Sequence, residues 1–378
     1  MKLTELSVGQ DELDEIQKVF ESGYLTQGLK TSEFEDRVKK FTKSKWAHAT
    51  SSATTGLHLS LVAIGVGAGD EVIIPDFSFP ATANVIEQLG ATPIFVDISL
   101  DTFNVDATKI ATALSPRTKA IMPVHAFGLC AEMDTIKDIA DNYSIDVVED
   151  AACALGATYK GVSAGKFGRL GVFSFHPRKI ITTGEGGMII TDDDEMSERL
   201  SLLRSHGAIR LDHYLQFEEI GFNYRLSDIN SAIGVVQMKK IQAVLTGRRH
   251  AAMAYSMRLS GIDGVSVPSE PIDHLHSYQS YVIILSRPIN RDKVIRLMRD
   301  AGVETTLGTY AMHLQPVFRR RYGLSDADFP NASHAHRQCL TLPLGHSMTN
   351  VEIDFVCDNL LNAIKLSRDD HKANYMSG

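Results

Sequence analysis

Polar and apolar positions alternate with two periods along the first two thirds of the chain. From about Asp11 to Leu245, helix-period stretches alternate with short β-branched or apolar runs bounded by turn residues, such as IDVVED, GVFSF and MIIT. Short apolar runs of this kind read as buried strands, and their alternation with helices predicts an α/β fold with a doubly wound, mainly parallel sheet and helices on both faces. After residue 245 the texture changes. RRHAAMAYSMRL reads as a helix leading into SYVIIL, RDKVIRLMRDAG and VEIDFVCDNLLNAI, a mixture that suits a smaller α+β unit. At 378 residues the chain exceeds the size at which one core usually stops growing. We therefore expect a large domain over residues 11–245 and a small C-terminal domain over 246–378.

Composition narrows the function classes. The apolar fraction of 44% is ordinary for a globular protein, and the net charge of −8 disfavours general affinity for nucleic acid or an anionic membrane. Cys130, Cys153, Cys339 and Cys357 are widely spaced and form no CxxC or zinc pattern, which implies a reducing compartment. The segment MKLTELSVGQDELDEIQ lacks an apolar signal core, and no run is long enough to span a bilayer, so a cytoplasmic location is expected. The basic clusters Arg319–Arg321 and Arg248–His250 read as solvated faces, one of which could meet a nucleotide diphosphate. Asp192–Asp194 reads as a turn after MIIT. GVGAGD precedes a strand and lacks the GxGxxG spacing, and GVSAGK misplaces the glycine and hydroxyl of a phosphate-binding loop.

The chemistry gathers around VFSFHPRKIITTGEGGMIIT. Lys179 stands there between an apolar strand and a glycine cluster, with Asp150 ending IDVVED upstream. Ligands of open α/β sheets bind outside the carboxyl ends of strands, so both side chains can converge on one pocket. A lysine amine in a cleft can form a Schiff base, and pyridoxal phosphate needs three further groups: an acid for its ring nitrogen, donors for its phosphate and a surface for its ring. Asp150 suits the first. Ser174, expected five residues before Lys179 on the same strand, and the segment ATSSATTGLHLSL suit the second, since hydroxyls of Ser52, Thr54 and Thr55 and the amides of a helix N-terminus make an anion cradle. Phe79, in PDFSFPATAN, suits the third. Each has a plainer reading: Asp150 as a helix N-cap for AACALGA, Phe79 as core, the Ser/Thr cluster as a capping motif. His176 contacts the cofactor or substrate, or is structural, and Glu185 is an ion-pair partner in a loop. Lys160 and Lys166, flanking GVSAG, read as surface charges.

The segments SSATTGLHLSLVAIGVGAGDEVIIPDFSFPATANVI, GATPIFVDISLDTFNVD, PRTKAIMPVHAFG, VEDAACALGA, FSFHPRKIITTGEGG and GFNYRLSDINSAIG resemble those of the DegT/DnrJ/StrS-type sugar aminotransferases, pyridoxal phosphate enzymes of the type I aminotransferase fold. The resemblance runs from about Ser22 to about Leu360. It implies Lys179 as the lysine of the internal aldimine and Asp150 as the partner of the pyridinium. It implies Ala53, Thr54 and Ser174 as phosphate ligands, Phe79 as the stacking aromatic, and Asn223 as a ligand reaching in from the neighbouring subunit of a homodimer. The implied reaction is ping-pong transfer of an amino group from glutamate or glutamine to a nucleotide-linked keto sugar.

Departures from the pattern carry information too. SSATTGL replaces the usual SSGTAAL, and Cys153 stands where a glutamine or histidine usually lies near the ring. ETTLGTYAMHLQPVF departs where many relatives have a histidine, tyrosine and proline before HLQP, which implies an unusual sugar. Dehydratases of the family, which use pyridoxamine phosphate, carry histidine in place of the lysine, and Lys179 argues against that alternative. A non-catalytic pyridoxal phosphate-binding regulator is the other alternative, and no spare segment for a DNA-binding domain is evident.

Overall fold

The computed structural model describes residues 1–368; the last ten residues of the expected smaller unit lie outside the described residues. Its centre is a sheet of seven strands: β1 (Trp46–Thr50), β2 (Glu71–Pro75), β3 (Thr92–Val96), β4 (Thr118–Ile121), β5 (Asp146–Asp150), β6 (Leu170–Ser174) and β7 (Gly187–Thr191). They lie in the order β1-β7-β6-β5-β4-β2-β3. Neighbours from β6 across to β3 pair parallel, whereas β7 runs antiparallel to both β6 and β1. This is the doubly wound, mainly parallel sheet that the alternating pattern predicts, with one reversed strand inserted.

Alternate residues of these strands enter two separate cores, as the pleat requires. Ile73, Ile121, Val147, Phe173, Met188 and Ile190 face one core with Phe34, Val38, Ile110, Ile136 and Ile241. Val72, Ile74, Ala120, Val148, Leu170, Val172 and Ile189 face the other with Leu57, Leu61, Val85 and Leu200. The first core is covered by α2 (Leu29–Thr42), α5 (Ala107–Ala113), α6 (Met133–Tyr143) and α8 (Asp228–Leu259), with α1 (Gln10–Ser22) lying against α8. The second is covered by α3 (Ala53–Ala63), α4 (Ala81–Gln88) and α7 (Asp194–Arg204). Burial on both faces explains why the strands read as continuous apolar runs.

A third core gathers Ala251, Tyr255, Tyr281, Ile283, Val294, Leu340, Val356 and Leu360 beneath a three-stranded sheet of Val265–Ser266, Tyr281–Leu285 and Cys339–Leu342. Helices Arg291–Asp300 and Asn350–Arg368 correspond to the RDKVIRLMRDAG and VEIDFVCDNLLNAI patterns. Through residue 245 there is no break: α8 runs for 32 residues, placing Val235, Ile241 and Leu245 in the first core and Ala251, Tyr255 and Leu259 in the third.

Three local expectations are corrected. Residues 151–157 form turns, so Asp150 caps no helix. Lys179 is not on the strand that ends at Ser174; it lies in the turn that follows. Arg248 is not a solvated charge: it is 2% exposed, with its guanidinium donating to the carbonyls of Tyr278, Leu344 and Gln279. Backbone carbonyls thus replace the water that such a charge would otherwise need. Asp193 ends the turn after β7 by capping α7, its side chain accepting from the Met196 amide. Lys160 and Lys166 pair with Asp134 and Asp192.

Candidate active site

Four strand ends meet at one edge of the large sheet. In register, Thr50 at the end of β1 lies opposite Gly187 at the start of β7, and Gly187 lies opposite Ser174 at the end of β6. Asp150, at the end of β5, pairs with Val172 two residues before Ser174. Reversal of β7 is what brings its first residue to the edge where its neighbours finish.

Immediately after β1 the chain turns into α3. Ser52 is the N-cap: its hydroxyl accepts from the Thr55 amide at 3.1 Å, and the Thr55 hydroxyl accepts from the Ser52 amide at 3.0 Å. The capping reading of the Ser/Thr cluster therefore applies to Ser52 and Thr55. The amides of Ala53 and Thr54 keep no protein acceptor among the described residues, and the Thr54 side chain is exposed. Unpaired N–H groups at a helix N-terminus, reinforced by the helix dipole, are suited to an anion. Gly187 lets the backbones approach here: a Cβ on it would lie 2.5 Å from the Ser52 carbonyl carbon and 2.6 Å from the Ala53 nitrogen.

Asn223 belongs to a segment tied to the same region. Ser51 N–H donates to the Tyr224 carbonyl at 2.8 Å, and Phe222 N–H donates to the Leu203 carbonyl at 2.7 Å. The Phe222 and Tyr224 rings stack with centroids 4.8 Å apart, and His58 sits edge-on to both. Asn223, between them in extended chain, is exposed.

Asp150 is buried, and its two oxygens have separate donors: Thr82 Oγ1 at 2.8 Å and the Ala152 amide at 3.2 Å. Burial dominates its acidity and raises its pKa, against the pull of Thr82, Ala152 and the nearby Lys179 charge. No ion pair joins it to a cation among the described residues. The preceding carboxylate, Glu149, has a different role, accepting from His125 Nε2 at 2.7 Å and from the amides of Gly165, Phe167 and Gly168. Strand alternation separates the two carboxylates of VED to opposite faces.

Lys179 is half-buried, and its amine donates to Cys153 Sγ at 3.0 Å. Its amide donates to the His176 carbonyl, while His176 Nδ1 accepts from the Arg178 amide at 3.2 Å. Burial lowers the His176 pKa, Glu185 opposes that, and Lys179 and Arg178 add to it. This turn-stabilising bond favours the structural reading of His176. Phe79 is no core residue: it is 65% exposed, whereas Phe77, two residues earlier, is buried.

Several contacts here have no counterpart in the motif reading. Thr82 orients Asp150, and the only sequence signal is its spacing of four from Ser78, whose hydroxyl lies 2.9 Å away. From the distant half, Gln279 Nε2 donates to the Arg178 carbonyl at 2.7 Å and Ser277 Oγ to the Cys153 carbonyl at 3.4 Å. Nothing local in HSYQS announces that.

The sequence model of the DegT/DnrJ/EryC1/StrS aminotransferase family matches residues 7–361. The chain belongs to this family. Family membership is matched by likeness to individual proteins. The chain is 37% identical over 370 residues to uncharacterized protein MJ1066 of Methanocaldococcus jannaschii and 34% identical over 371 residues to the spore coat polysaccharide biosynthesis protein SpsC of Bacillus subtilis, covering 95% of each chain in both pairs. Among solved structures it resembles the putative sugar aminotransferase Spr1654 of Streptococcus pneumoniae with a TM-score of 0.93 at 26% identity, over 97% of this chain and 100% of that one. That protein is known in pyridoxal phosphate and pyridoxamine phosphate forms. The fold is thus the type I fold of pyridoxal phosphate aminotransferases, and pyridoxal phosphate is the cofactor of the DegT/DnrJ/EryC1/StrS family. The residues present fit it: free amides at a helix N-terminus, a buried carboxylate without a cation, an exposed ring and a half-buried lysine meet at one sheet edge.

Proposed function

We propose that this family member transfers an amino group from glutamate or glutamine to the ketone of a nucleotide-linked sugar, in two half-reactions of a ping-pong cycle. The observation that carries the reading is the Lys179 amine, held at 3.0 Å by Cys153 Sγ within electrostatic reach of buried Asp150. A lysine rather than a histidine at this position speaks for transamination over dehydration.

Pyridoxal phosphate, when bound, supplies a carbonyl carbon for amines and an electron sink. Lys179 Nζ would hold that carbon, and once displaced would take a proton from the donor's α carbon and return it to the cofactor carbon, then act in the reverse order on the sugar. Asp150 would be the counter-ion that keeps the ring nitrogen protonated. The Ala53 and Thr54 amides, the Thr54 and Ser174 hydroxyls and Asn223 would hold the phosphate, and Phe79 would cover the ring face. Cys153 would border the lysine nitrogen.

Asn223 reaches a site only across a homodimer in this reading. Support comes from exposed apolar groups around it: Tyr214, Phe217 and Ile220, the last 93% exposed, near the hairpin of Ala208–Arg210 and Leu215–Phe217. Phe20, Tyr24 and Leu29 add to the uncovered apolar surface. Four free thiols suit a cytoplasmic setting.

Purified protein loaded with cofactor should absorb as a Schiff base, bleach on adding glutamate and recover with the correct keto-sugar nucleotide, whose product mass identifies the amino sugar. Lys179→Ala should lose both responses. A colourless protein, or a variant that still transaminates, would refute the reading.

A further inference from the structure

One enclosed polar cluster takes no part in the groups around Lys179. Asp76 and His313 are wholly buried and joined by two bonds: the His313 amide donates to Asp76 Oδ1 at 2.9 Å, and His313 Nδ1 lies 2.5 Å from Asp76 Oδ2. The other ring nitrogen, Nε2, lies 2.9 Å from the Ser333 hydroxyl, and the ring stacks on Phe329 at 5.0 Å. Serine, histidine and aspartate in this order have the connectivity of a hydrolytic triad. Asp76 and His313 expose no surface and Ser333 only 4% of its own, so the three serve packing first. The cluster is a clasp between distant parts of the chain.

What it clasps is informative. Asp76 follows β2 directly, at the carboxyl edge of the sheet where the candidate site lies. Its carbonyl accepts from the Met312 amide at 2.6 Å, and the next two residues, Phe77–Ser78, pair antiparallel with Tyr310–Ala311. The segment 76–78 is therefore bound along its length by 310–313. From Ser78 a hydrogen-bonded path leads to Thr82 and on to Asp150 Oδ2, and Phe79 lies within the same loop, its carbonyl accepting from the Thr82 amide at 3.2 Å. A buried carboxylate costs folding free energy unless it is well paired, and burial indeed raises the Asp76 pKa against the opposing pull of His313.

We propose that His313 is a positioning residue for the cofactor: through Asp76 it fixes loop 77–82, and with it the Phe79 ring and the Thr82 hydroxyl on Asp150. This rests on the reading above, in which Phe79 and Asp150 meet the cofactor ring. His313 then governs cofactor affinity and ring orientation, while proton transfer at Lys179 is set elsewhere.

The test is titration of apoprotein with pyridoxal phosphate, followed by absorbance and by the circular dichroism induced in the bound cofactor. Thermal melts of each apoprotein run alongside. His313→Leu should weaken binding by about tenfold or more, the loss expected for one hydrogen bond to a charged group, and should diminish the induced signal. His313→Asn, whose amide can donate in place of Nδ1–H, should restore both to within about threefold of wild type, a small fraction of the bond's free energy. If His313→Leu melts without cooperativity, Asp76→Asn provides the same comparison, since it keeps an acceptor for the His313 amide and loses the charge facing Nδ1. Wild-type affinity and dichroism in His313→Leu or Asp76→Asn would overturn the proposal. So would an equal loss in His313→Asn, which would place the effect in the Phe329 stack or the Ser333 bond. Failure of the wild-type protein to bind pyridoxal phosphate would instead sink the underlying reading.

Discussion

The Lys179 amine donates to the Cys153 thiol across 3.0 Å, so a cysteine touches the lysine itself. Cys130, Cys339 and Cys357 are buried, and Cys153 is only partly so. Native apoprotein should therefore expose one readily alkylated thiol of four, at Cys153, and alkylation should abolish transamination. Thiol titration before and after adding pyridoxal phosphate checks this. Equal labelling in a Cys153→Ser variant would rule it out.

Asp150→Asn keeps the shape of the carboxylate and removes its charge. If Asp150 holds the proton of the cofactor ring, kcat should fall by about 10²–10⁴-fold, the usual range for losing a proton-handling group, with the folded state intact. Rates and melting temperatures measured together decide the matter. A kcat within threefold of wild type, an amount far below that range, would exclude the role.

Gly187→Ala introduces a methyl group 2.5 Å from the Ser52 carbonyl carbon, against backbone that cannot swing away. Overpacking of this kind costs about 1–3 kcal/mol and should also spread the amides of Ala53 and Thr54. Both urea midpoint and cofactor affinity should drop. Gly67→Ala, where a Cβ meets nothing within 4 Å, is the control and should leave both unchanged.

His48, in β1 and 5% exposed, has a pKa lowered to about 3, chiefly by burial and further by Arg204 and Lys39. His276, lowered to about 3 mainly by burial, behaves alike. A depressed folded-state pKa means that the unfolded chain takes up a proton near pH 6.5 while the folded chain does not. Stability is therefore present above that pH and lost as pH falls below it, by up to about 1.4 kcal/mol per pH unit for each histidine. Melting temperatures between pH 7 and 5 should show the decline, and His48→Gln should make it shallower. Parallel curves for the two proteins would contradict the assignment.

Asp228, although it opens α8, caps a different helix. Its carboxylate accepts from the amides of Gly28, Lys30 and Thr31 and from the Thr31 hydroxyl, at distances of 2.8–3.1 Å, so it serves α2 from 200 residues away. Asp228→Ala should cost about 1–2 kcal/mol, as lost N-caps do, and a denaturant midpoint equal to wild type would refute this.

These residues mark what a sequence can and cannot show. Strands such as β5 and β6 were legible because two-sided burial demands unbroken apolar runs, and the helix start at Ser52 was legible because capping uses local residues. The direction of β7 was not, since apolar content is the same in either direction. Arg248 looked solvated because the carbonyls that neutralise it come from Tyr278, Gln279 and Leu344, none of them a sequence neighbour. Thr82 and Gln279 meet the site through folding alone, as does the Asp76–His313 bond, whose partners stand 237 residues apart. Lys179 and Asp150 could be placed near one another from the sequence because each stands in a contiguous motif beside an apolar strand.

The 32-residue α8 has a mechanical consequence. A helix of that length extends about 48 Å, and it is a single hydrogen-bonded rod anchored in two cores. A hinge at its midpoint would have to break that rod. Flexing that admits or releases a substrate must then be carried by loops outside that rod, residues 276–280 foremost. Heating should melt both cores together, and a protease that nicks α8 would unseat both at once.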